Sequence, residues 1–251
     1  MDPMRIVVIG GTGLIGSQVV KRLGEHGHDA VPASPNSGVN TLTGEGVKEV
    51  LQGADVLVDV SNSPSFADDD VMNFFTTATT NLTEAAEEAG VGHYVALSIV
   101  GTDELPESGY LRAKVAQEKL IRESGLTYSI IRATQFFEFA GAIANSAELD
   151  GAVHLPHGGV QPIAASDVAA VVGRTAATAP VNGVLEIGGP EEFTMDGWIR
   201  TVLAHRKDER AVVSDPQAKY FGTLLTGKQL VPNSGAQLQP TSLQAWLDAG
   251  N

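Results

Sequence analysis

The feature that most constrains this chain is a glycine-rich turn between a short apolar run and an amphipathic stretch. The run Arg5–Ile9 predicts a buried β-strand, and Leu14–His26 predicts a helix. Gly10, Gly13 and Gly16 are spaced three apart, as in turns that bring the backbone close to a pyrophosphate at a helix N-terminus. We therefore predict a dinucleotide site at this turn, formed by Gly10, Gly11, Thr12, Gly13, Leu14, Ile15 and Gly16.

Apolar runs and amphipathic stretches alternate along the first part of the chain. Strands joined by helices produce this rhythm, so we expect βαβ units and an α/β fold with a doubly wound parallel sheet of Rossmann type, with six strands by Arg132. The whole chain, residues 1–251, is expected to form one NAD(P)-binding domain, in which residues from about 150 to 251 contribute a small α+β substrate lobe. Later elements are expected as a helix at Phe136–Ala147, a strand at Gln161–Ala164 and two short helices within Asp215–Gly250.

Composition excludes several classes of function. The net charge is −14, and no basic stripe is present to neutralise nucleic-acid phosphates or an anionic membrane surface. The chain has no cysteine, which excludes disulfides, thiolate chemistry and zinc–sulfur sites, and we expect no metal site. Neither a membrane span of about 18 apolar residues nor a signal peptide is visible, so we expect a cytoplasmic protein.

The residues after the second predicted strand bear on the choice of cofactor. An acidic side chain at this place hydrogen-bonds the ribose of NAD, and residues 33–38 contain none. Ser34, Asn36 and Ser37 offer neutral donors to a 2′-phosphate, although such residues also occur in ordinary turns. We expect NADP, with NAD as the alternative. We expect the stretch Asp59–Asn62, at the end of the next strand, to border the adenosine pocket, with Ser61 and Asn62 lining it.

A tyrosine and a lysine lie four residues apart at the start of a predicted helix, so Tyr110 and Lys114 share a face. Ser98 ends the preceding predicted strand, at the edge where open α/β sheets bind ligands. Tyr110 suits proton donation to a carbonyl oxygen if a nearby Lys114 ammonium lowers its pKa from about 10. Lys114 would also bind the nicotinamide ribose, and Ser98 would hold the carbonyl oxygen. The alternative is a chance spacing, with Tyr110 packed and Lys114 solvated.

With these motifs, the chain resembles the atypical short-chain dehydrogenase/reductase superfamily, in particular its NmrA-like and NAD(P)H:quinone oxidoreductase-like branch. The stretches that carry the resemblance are GGTGLIG (10–16), VALSIVG (95–101), YLRAKVAQEKLI (110–121), TYSIIRATQFFEF (127–139) and PIAASDVA (162–169). The resemblance implies a Rossmann fold, a nicotinamide cofactor and Ser98, Tyr110 and Lys114 as the catalytic set. It also implies that residues 134–137 pass beside the nicotinamide, with Thr134 on the cofactor, Gln135 on the substrate or the nicotinamide carboxamide, and Phe136 and Phe137 on the substrate. Core packing is the alternative for the two aromatic residues.

These observations predict a reductase of a small carbonyl or quinone-like substrate that takes hydride from NAD(P)H and a proton from Tyr110. A non-catalytic NAD(P)-binding redox sensor is the first alternative. A sugar-nucleotide epimerase or dehydratase is the second, although such enzymes usually have a longer C-terminal domain. We expect a small-molecule substrate, no nucleic-acid or membrane partner, and a monomer or homodimer.

Overall fold

The structure is a computed structural model that describes residues 2–250. Strands and helices alternate up to Ala133, as the apolar pattern predicts. Their bounds are β1 Arg5–Ile9, α1 Gly16–Glu25, β2 Asp29–Ala33, α2 Val47–Leu51, β3 Val56–Asp59, α3 Asp68–Ala89, β4 His93–Ile99, α4 Gly109–Glu123 and β5 Tyr128–Ala133.

Shorter elements follow in the rest of the described chain. They are α5 Ala140–Ser146, β6 Glu148–Leu149, β7 Ala152–Leu155, β8 Gly159–Val160, α6 Ala165–Ala176, β9 Gly183–Gly188, β10 Phe193–Thr194, α7 Met195–His205, β11 Ala211–Ser214, β12 Lys219–Tyr220, β13 Thr223–Leu224, β14 Gln237–Leu238 and α8 Leu243–Asp248.

The central sheet has seven parallel strands in the order β14-β9-β5-β4-β3-β1-β2. This arrangement confirms the predicted doubly wound fold. The expected count of six strands by Arg132 was wrong, since five strands precede residue 134 and the next strand of this sheet is β9. The chain runs outward from β1 to β2 and then returns past β1 to β3, which makes the gap between β1 and β3 the topological switch point. Open α/β sheets bind ligands at such a point, beyond the carboxyl ends of the strands.

Burial explains why these strands read as continuous apolar runs. All four residues of β3 and four of the five in β1 are buried, because helices cover both faces of a parallel sheet. The long helix α3 begins with three aspartates, which suit the positive end of the helix dipole, and ends at Gly90 in the left-handed conformation. The main core cluster is built around β1, β3, β4 and β5 and includes Val7, Leu57, Leu82, Tyr94 and Ile130.

The described chain divides into two compact units. The first comprises the chain up to Ser98, Gly109–Arg132 and Val168–Leu185, and the second comprises Ile99–Ser108, Ala133–Asp167 and the chain from Glu186 onward. The first unit contains the glycine turn and most of the sheet. In the second unit, α7 packs on β11, and β11 pairs with β7. Within residues 2–250, no helix combines the length and the apolar character that crossing a bilayer requires.

Two local predictions in the second unit were wrong, and a third was confirmed with shorter bounds. The helix expected at Phe136–Ala147 is present as a 3-10 turn at Phe137–Phe139 that leads directly into α5, and Phe137 donates its backbone N–H to the Ile163 carbonyl oxygen at 2.9 Å. Residues 161–164 form no strand, and β8 ends at Val160 before Pro162, which has no N–H for a ladder. Residues 215–250 contain three short strands and the helix α8 instead of two helices, since glycines and prolines interrupt this stretch.

Candidate cofactor and active site

The glycine turn lies at the carboxyl end of β1, at the switch point of the sheet. Gly10 has φ +77°, and a Cβ there would lie 3.0 Å from the backbone of Ser61, which follows β3. A Cβ on Gly16 would collide with the backbone of Gly10, so Gly16 lets α1 pack directly against the turn. A side chain at Gly10 or Gly16 has no room, because the backbones of β1, α1 and the segment after β3 approach one another closely here.

The outer side of the same turn has room and donors for an anion. A Cβ on Gly13 would meet only the carbonyl oxygen of Gly10, at 3.3 Å, and Leu14 is exposed. The backbone N–H groups of Thr12, Leu14 and Ile15 make no hydrogen bond within the described residues. Free N–H groups before a helix N-terminus favour a phosphate, so the turn fits the pyrophosphate of a dinucleotide.

The residues after β2 form a compact turn. Ser37 Oγ accepts from the Ser34 backbone N–H and donates to the Ser34 carbonyl oxygen, both at 2.9 Å, so this hydroxyl serves the turn itself. Ser34 Oγ is buried and has no hydrogen-bond partner in the part of the chain that the structure describes. Asn36 is exposed. Of the three residues expected to bind a 2′-phosphate, Ser34 and Asn36 keep polar groups that the turn does not use.

Tyr110 lies in the first turn of α4 and reaches the end of β3. Its hydroxyl donates to Asn62 Oδ1 at 2.9 Å, and its ring packs edge-on against Phe66 and Phe75. Burial raises the pKa of Tyr110 to about 12, although the hydrogen bond to Asn62 lowers it. The expected lowering by Lys114 was therefore wrong, and the phenol stays protonated at neutral pH.

Lys114 explains this difference, because its ammonium faces inward. Lys114 is only 3% exposed; it donates to the Leu97 carbonyl oxygen at 2.8 Å and to Gln117 Oε1, and it lies 4.3 Å from the centre of the Phe75 ring. Burial lowers the pKa of Lys114 to about 8, while the charges of Asp59 and Glu118 raise it. The alternative of a coincidental Tyr–Lys spacing required Lys114 to be solvated, and the buried Lys114 does not fit it.

Sequence reasoning missed the role of Asp59, the last residue of β3. Asp59 Oδ1 accepts from Ser61 N (3.0 Å) and Ser61 Oγ (2.6 Å), and Oδ2 accepts from Tyr94 OH (3.2 Å) and Gln117 Nε2 (3.0 Å). Both the backbone N–H and the hydroxyl of Ser61, which was expected to line the adenosine pocket, therefore donate to Asp59 at the end of β3. The available signal was an acidic residue ending an otherwise apolar strand at the ligand-binding edge.

Ser98 takes a different place from the expected one. Its hydroxyl donates to Glu118 Oε1 at 2.7 Å, and Glu118 also pairs with Arg132 at 2.9 Å and Arg122 at 2.8 Å. All of these contacts lie inside the first unit, and Ser98 and Glu118 are buried. Tyr110 is hydrogen-bonded to Asn62 and Lys114 to Gln117. The Ser98 hydroxyl is hydrogen-bonded to the buried ion pair of Glu118 instead of facing Tyr110 as a free group.

The remaining predicted residues lie in the second unit. Thr134 Oγ1 and Gln135 Oε1 are buried and without a hydrogen-bond partner among the described residues, whereas Phe136 stacks on Phe139. Phe137 is fully buried, with its ring centroid 5.5 Å from that of Trp246. The expectation that Phe137 contacts substrate was wrong, since its ring is core. The predicted contacts of Thr134, Gln135 and Phe136 stay predictions.

A parallel sheet with a glycine turn at its switch point, free turn amides and a Tyr–Lys helix beside it defines a nicotinamide-dinucleotide-binding protein of Rossmann type. A family model described as NAD(P)H-binding matches residues 10–178, and the chain belongs to that family. The match confirms the predicted likeness to the atypical short-chain dehydrogenase/reductases.

Individual relatives include two reductases. The chain is 28% identical over 207 residues to the (4-alkanoyl-5-oxo-2,5-dihydrofuran-3-yl)methyl phosphate reductase of Streptomyces griseus, covering 75% of this chain and 69% of that protein. It is 30% identical over 222 residues to the divinyl chlorophyllide a 8-vinyl-reductase of Cucumis sativus, covering 74% and 52%. The chain spans about half the length of several curated relatives that it matches.

Among solved structures, a dTDP-4-dehydrorhamnose reductase of Bacillus anthracis in complex with NADP superposes with a TM-score of 0.72. The superposition covers 99% of this chain and 96% of that one at 14% sequence identity. At this identity, the likeness shows a shared fold.

Proposed function

We propose that this chain is an NAD(P)H-dependent reductase of a small carbonyl or quinone-like substrate. The observation that carries the proposal is the Tyr110 hydroxyl, held by Asn62 at the switch-point edge of the sheet, in the same unit as the glycine turn. The two reductases among the relatives support the reaction class. Because the chain covers only part of their length, the activity is inferred for this chain from its own site.

The cofactor, when bound, supplies hydride to the substrate carbon. Tyr110 supplies the proton, because a phenol with a pKa near 12 stays protonated until an alkoxide of higher basicity forms beside it. Asn62 holds the phenol oxygen in place. The Lys114 ammonium adds positive charge on the same helix as Tyr110, and because this ammonium is itself buried, its charge is weakly screened by water.

We propose NADP as the preferred cofactor. No acidic residue follows β2 to bind an unmodified ribose, and Ser34 and Asn36 are the polar side chains that remain for a 2′-phosphate. The pyrophosphate is assigned to the free N–H groups of Thr12, Leu14 and Ile15, beside Gly13. Action in the cytoplasm, as a monomer or homodimer and without a nucleic-acid or membrane partner, is part of the same proposal.

A non-catalytic NAD(P)-binding redox sensor is the second candidate. One observation favours it: the Ser98 hydroxyl donates to Glu118 within a buried ion pair, so it does not act as a free hydroxyl beside Tyr110. The sensor would bind NADPH at the same glycine turn and would turn over no substrate.

The deciding experiment follows NADPH oxidation with a panel of quinones, carbonyl compounds and conjugated alkenes. For an active substrate, Tyr110→Phe should lower kcat by about 10² to 10⁴, because it removes the proton donor, and should leave NADPH affinity nearly unchanged. Tyr128→Phe, which removes a half-buried phenol from β5, is the matched control and should retain wild-type turnover.

The outcomes separate the two candidates. Turnover that survives Tyr110→Phe contradicts the tyrosine mechanism. NADPH binding without oxidation by any member of the panel contradicts the reductase and supports the sensor.

A further inference from the structure

Lys114 is the most deeply buried cation at the candidate site, and its surroundings are specific. Its ammonium has three N–H donors, and the acceptors that the structure gives it are the Leu97 carbonyl oxygen and Gln117 Oε1. The Phe75 ring on α3 lies beside it. Neither acceptor carries a charge, so the nearest full negative charges must act from further away.

Gln117 stands between the ammonium and one of those charges. Its amide oxygen accepts from Lys114, and its amide nitrogen donates to Asp59 Oδ2 at 3.0 Å. Gln117 is itself buried. An amide placed in this way directs its negative end to the cation and its positive end to the carboxylate, so both hydrogen bonds reinforce one another.

Asp59 is anchored independently of Gln117. Three further donors, from Ser61 and Tyr94, hold its two carboxylate oxygens, and Asp59 is only 2% exposed. These donors hold the Asp59 carboxylate in a fixed position at the end of β3, next to the Ser61 backbone on which Gly10 packs. Its charge is one of the two that raise the pKa of Lys114.

Within residues 2–250, Asp59 makes no ion pair, so its charge is not already paired with another cation. Glu118, on the same helix, is committed to Arg132 and Arg122. Tyr94 on β4 donates to Asp59, Tyr110 donates to Asn62, and the Phe75 ring of α3 lies against the Lys114 ammonium.

We propose that Gln117 and Asp59 are positioning residues for Lys114. The Gln117 amide, polarised by the Asp59 carboxylate, stabilises the Lys114 ammonium and holds that ammonium at the Leu97 carbonyl oxygen. We call the chain of hydrogen bonds from Asp59 through Gln117 to Lys114 the relay. The inference rests on the proposed function for its catalytic meaning, since it assigns these residues to the lysine of the Tyr–Lys pair. The effect on the pKa of Lys114, however, is a property of the protein without cofactor and can be measured there. Loss of the relay leaves a buried ammonium that releases its proton more readily and is free to turn away from its site.

The experiment titrates Lys114 in the unliganded protein by NMR of isotope-labelled lysine side chains. The Lys114 signal is identified by its loss in Lys114→Met. In the wild type we expect a midpoint near 8, well separated from the exposed lysines. Gln117→Met, of similar length but without the amide, should lower this midpoint by about one pH unit, and Asp59→Asn should lower it as well.

Two controls define specificity. Tyr94→Phe removes a hydrogen bond from the same Asp59 carboxylate but leaves the charge and Gln117 in place, so it should move the midpoint much less. Lys119→Gln changes an exposed charge on the same helix and should leave the Lys114 midpoint and the turnover unchanged.

An unchanged Lys114 midpoint in Gln117→Met overturns the relay. If Gln117→Met does not fold, Asp59→Asn decides, and an unchanged midpoint there overturns it equally. The relay and the proposed function fail separately. A lowered Lys114 midpoint in Gln117→Met, together with a wild type that oxidises no NADPH, supports the relay and contradicts the reductase. An active wild-type reductase with an unchanged Lys114 midpoint in Gln117→Met supports the reductase and contradicts the relay.

Discussion

At the scale of single residues, Glu118 organises the buried polar contacts behind the candidate site. It accepts from Ser98, Arg122 and Arg132, and its side chain is 2% exposed. An arginine left beside a truncated partner in such a place keeps a charge that neither water nor protein neutralises. The ion pair therefore links β4, α4 and β5 more firmly than a surface pair would.

We predict that Glu118→Ala lowers the free energy of unfolding by about 3 to 5 kcal/mol, because Arg132 loses its buried counter-charge. Ser98→Ala removes only one hydrogen bond from the same carboxylate and should cost about 1 kcal/mol. Urea denaturation measures both. We also expect Ser98→Ala to keep near wild-type turnover; a large fall in kcat at unchanged stability would instead restore Ser98 to the catalytic set.

At the scale of elements, β4 and β5 are joined by a buried histidine as well as by their ladder. His93 Nε2 lies 2.9 Å from Ser129 Oγ, which also accepts from the Val181 backbone N–H. Burial lowers the pKa of His93 to about 4, although the nearby Thr178 backbone raises it. The imidazole is therefore neutral in the folded protein at pH 7.

This shift predicts a pH-dependent stability. Between about pH 6.5 and pH 4 the unfolded chain binds a proton at His93 that the folded chain excludes, so stability falls as the pH falls through this window. The full contribution, present above pH 6.5, amounts to about 3 kcal/mol. Urea midpoints of wild type and His93→Gln across the window measure it. A wild-type profile as flat as that of His93→Gln would contradict the assignment.

At the scale of the whole molecule, cofactor binding should stabilise the folded chain. A ligand at about 100 times its Kd adds about 2.7 kcal/mol, which corresponds to a rise in Tm of roughly 5 to 10 °C for a chain of this size. We predict this rise with NADPH and a smaller one with NADH at equal concentration, measured by thermal unfolding. Equal shifts would contradict the preference for NADP.

The glycine turn supplies the variant for this measurement. In Gly13→Ala the new Cβ meets only one carbonyl oxygen within the protein, so the fold should persist while the thermal shift with NADPH is lost. Gly16→Ala, whose Cβ would collide with the Gly10 backbone, should lower Tm even without cofactor. A full NADPH shift in Gly13→Ala would place the pyrophosphate elsewhere.

The order of strands and helices up to Ala133, the glycine turn and the Tyr110–Lys114 face can all be predicted from the sequence. These features depend on local periodicity and on backbone conformations that only glycine adopts easily, and both are visible in residues that are close together in the chain. The less regular second unit was predicted less well, because its short strands form through pairing with distant partners such as β7 with β11.

The hydrogen-bond partner of each polar side chain at the site depends on tertiary packing and could not be predicted from the sequence. Ser98 bonds Glu118, Tyr110 bonds Asn62, and Gln117 joins Lys114 to Asp59 across 58 positions of sequence. Burial makes an unpaired polar group costly, so these side chains pair with the groups that the packing of distant elements brings within about 3 Å. The residue types that suit reduction are visible in the sequence, whereas the pKa values and hydrogen bonds that set their chemistry arise from that packing.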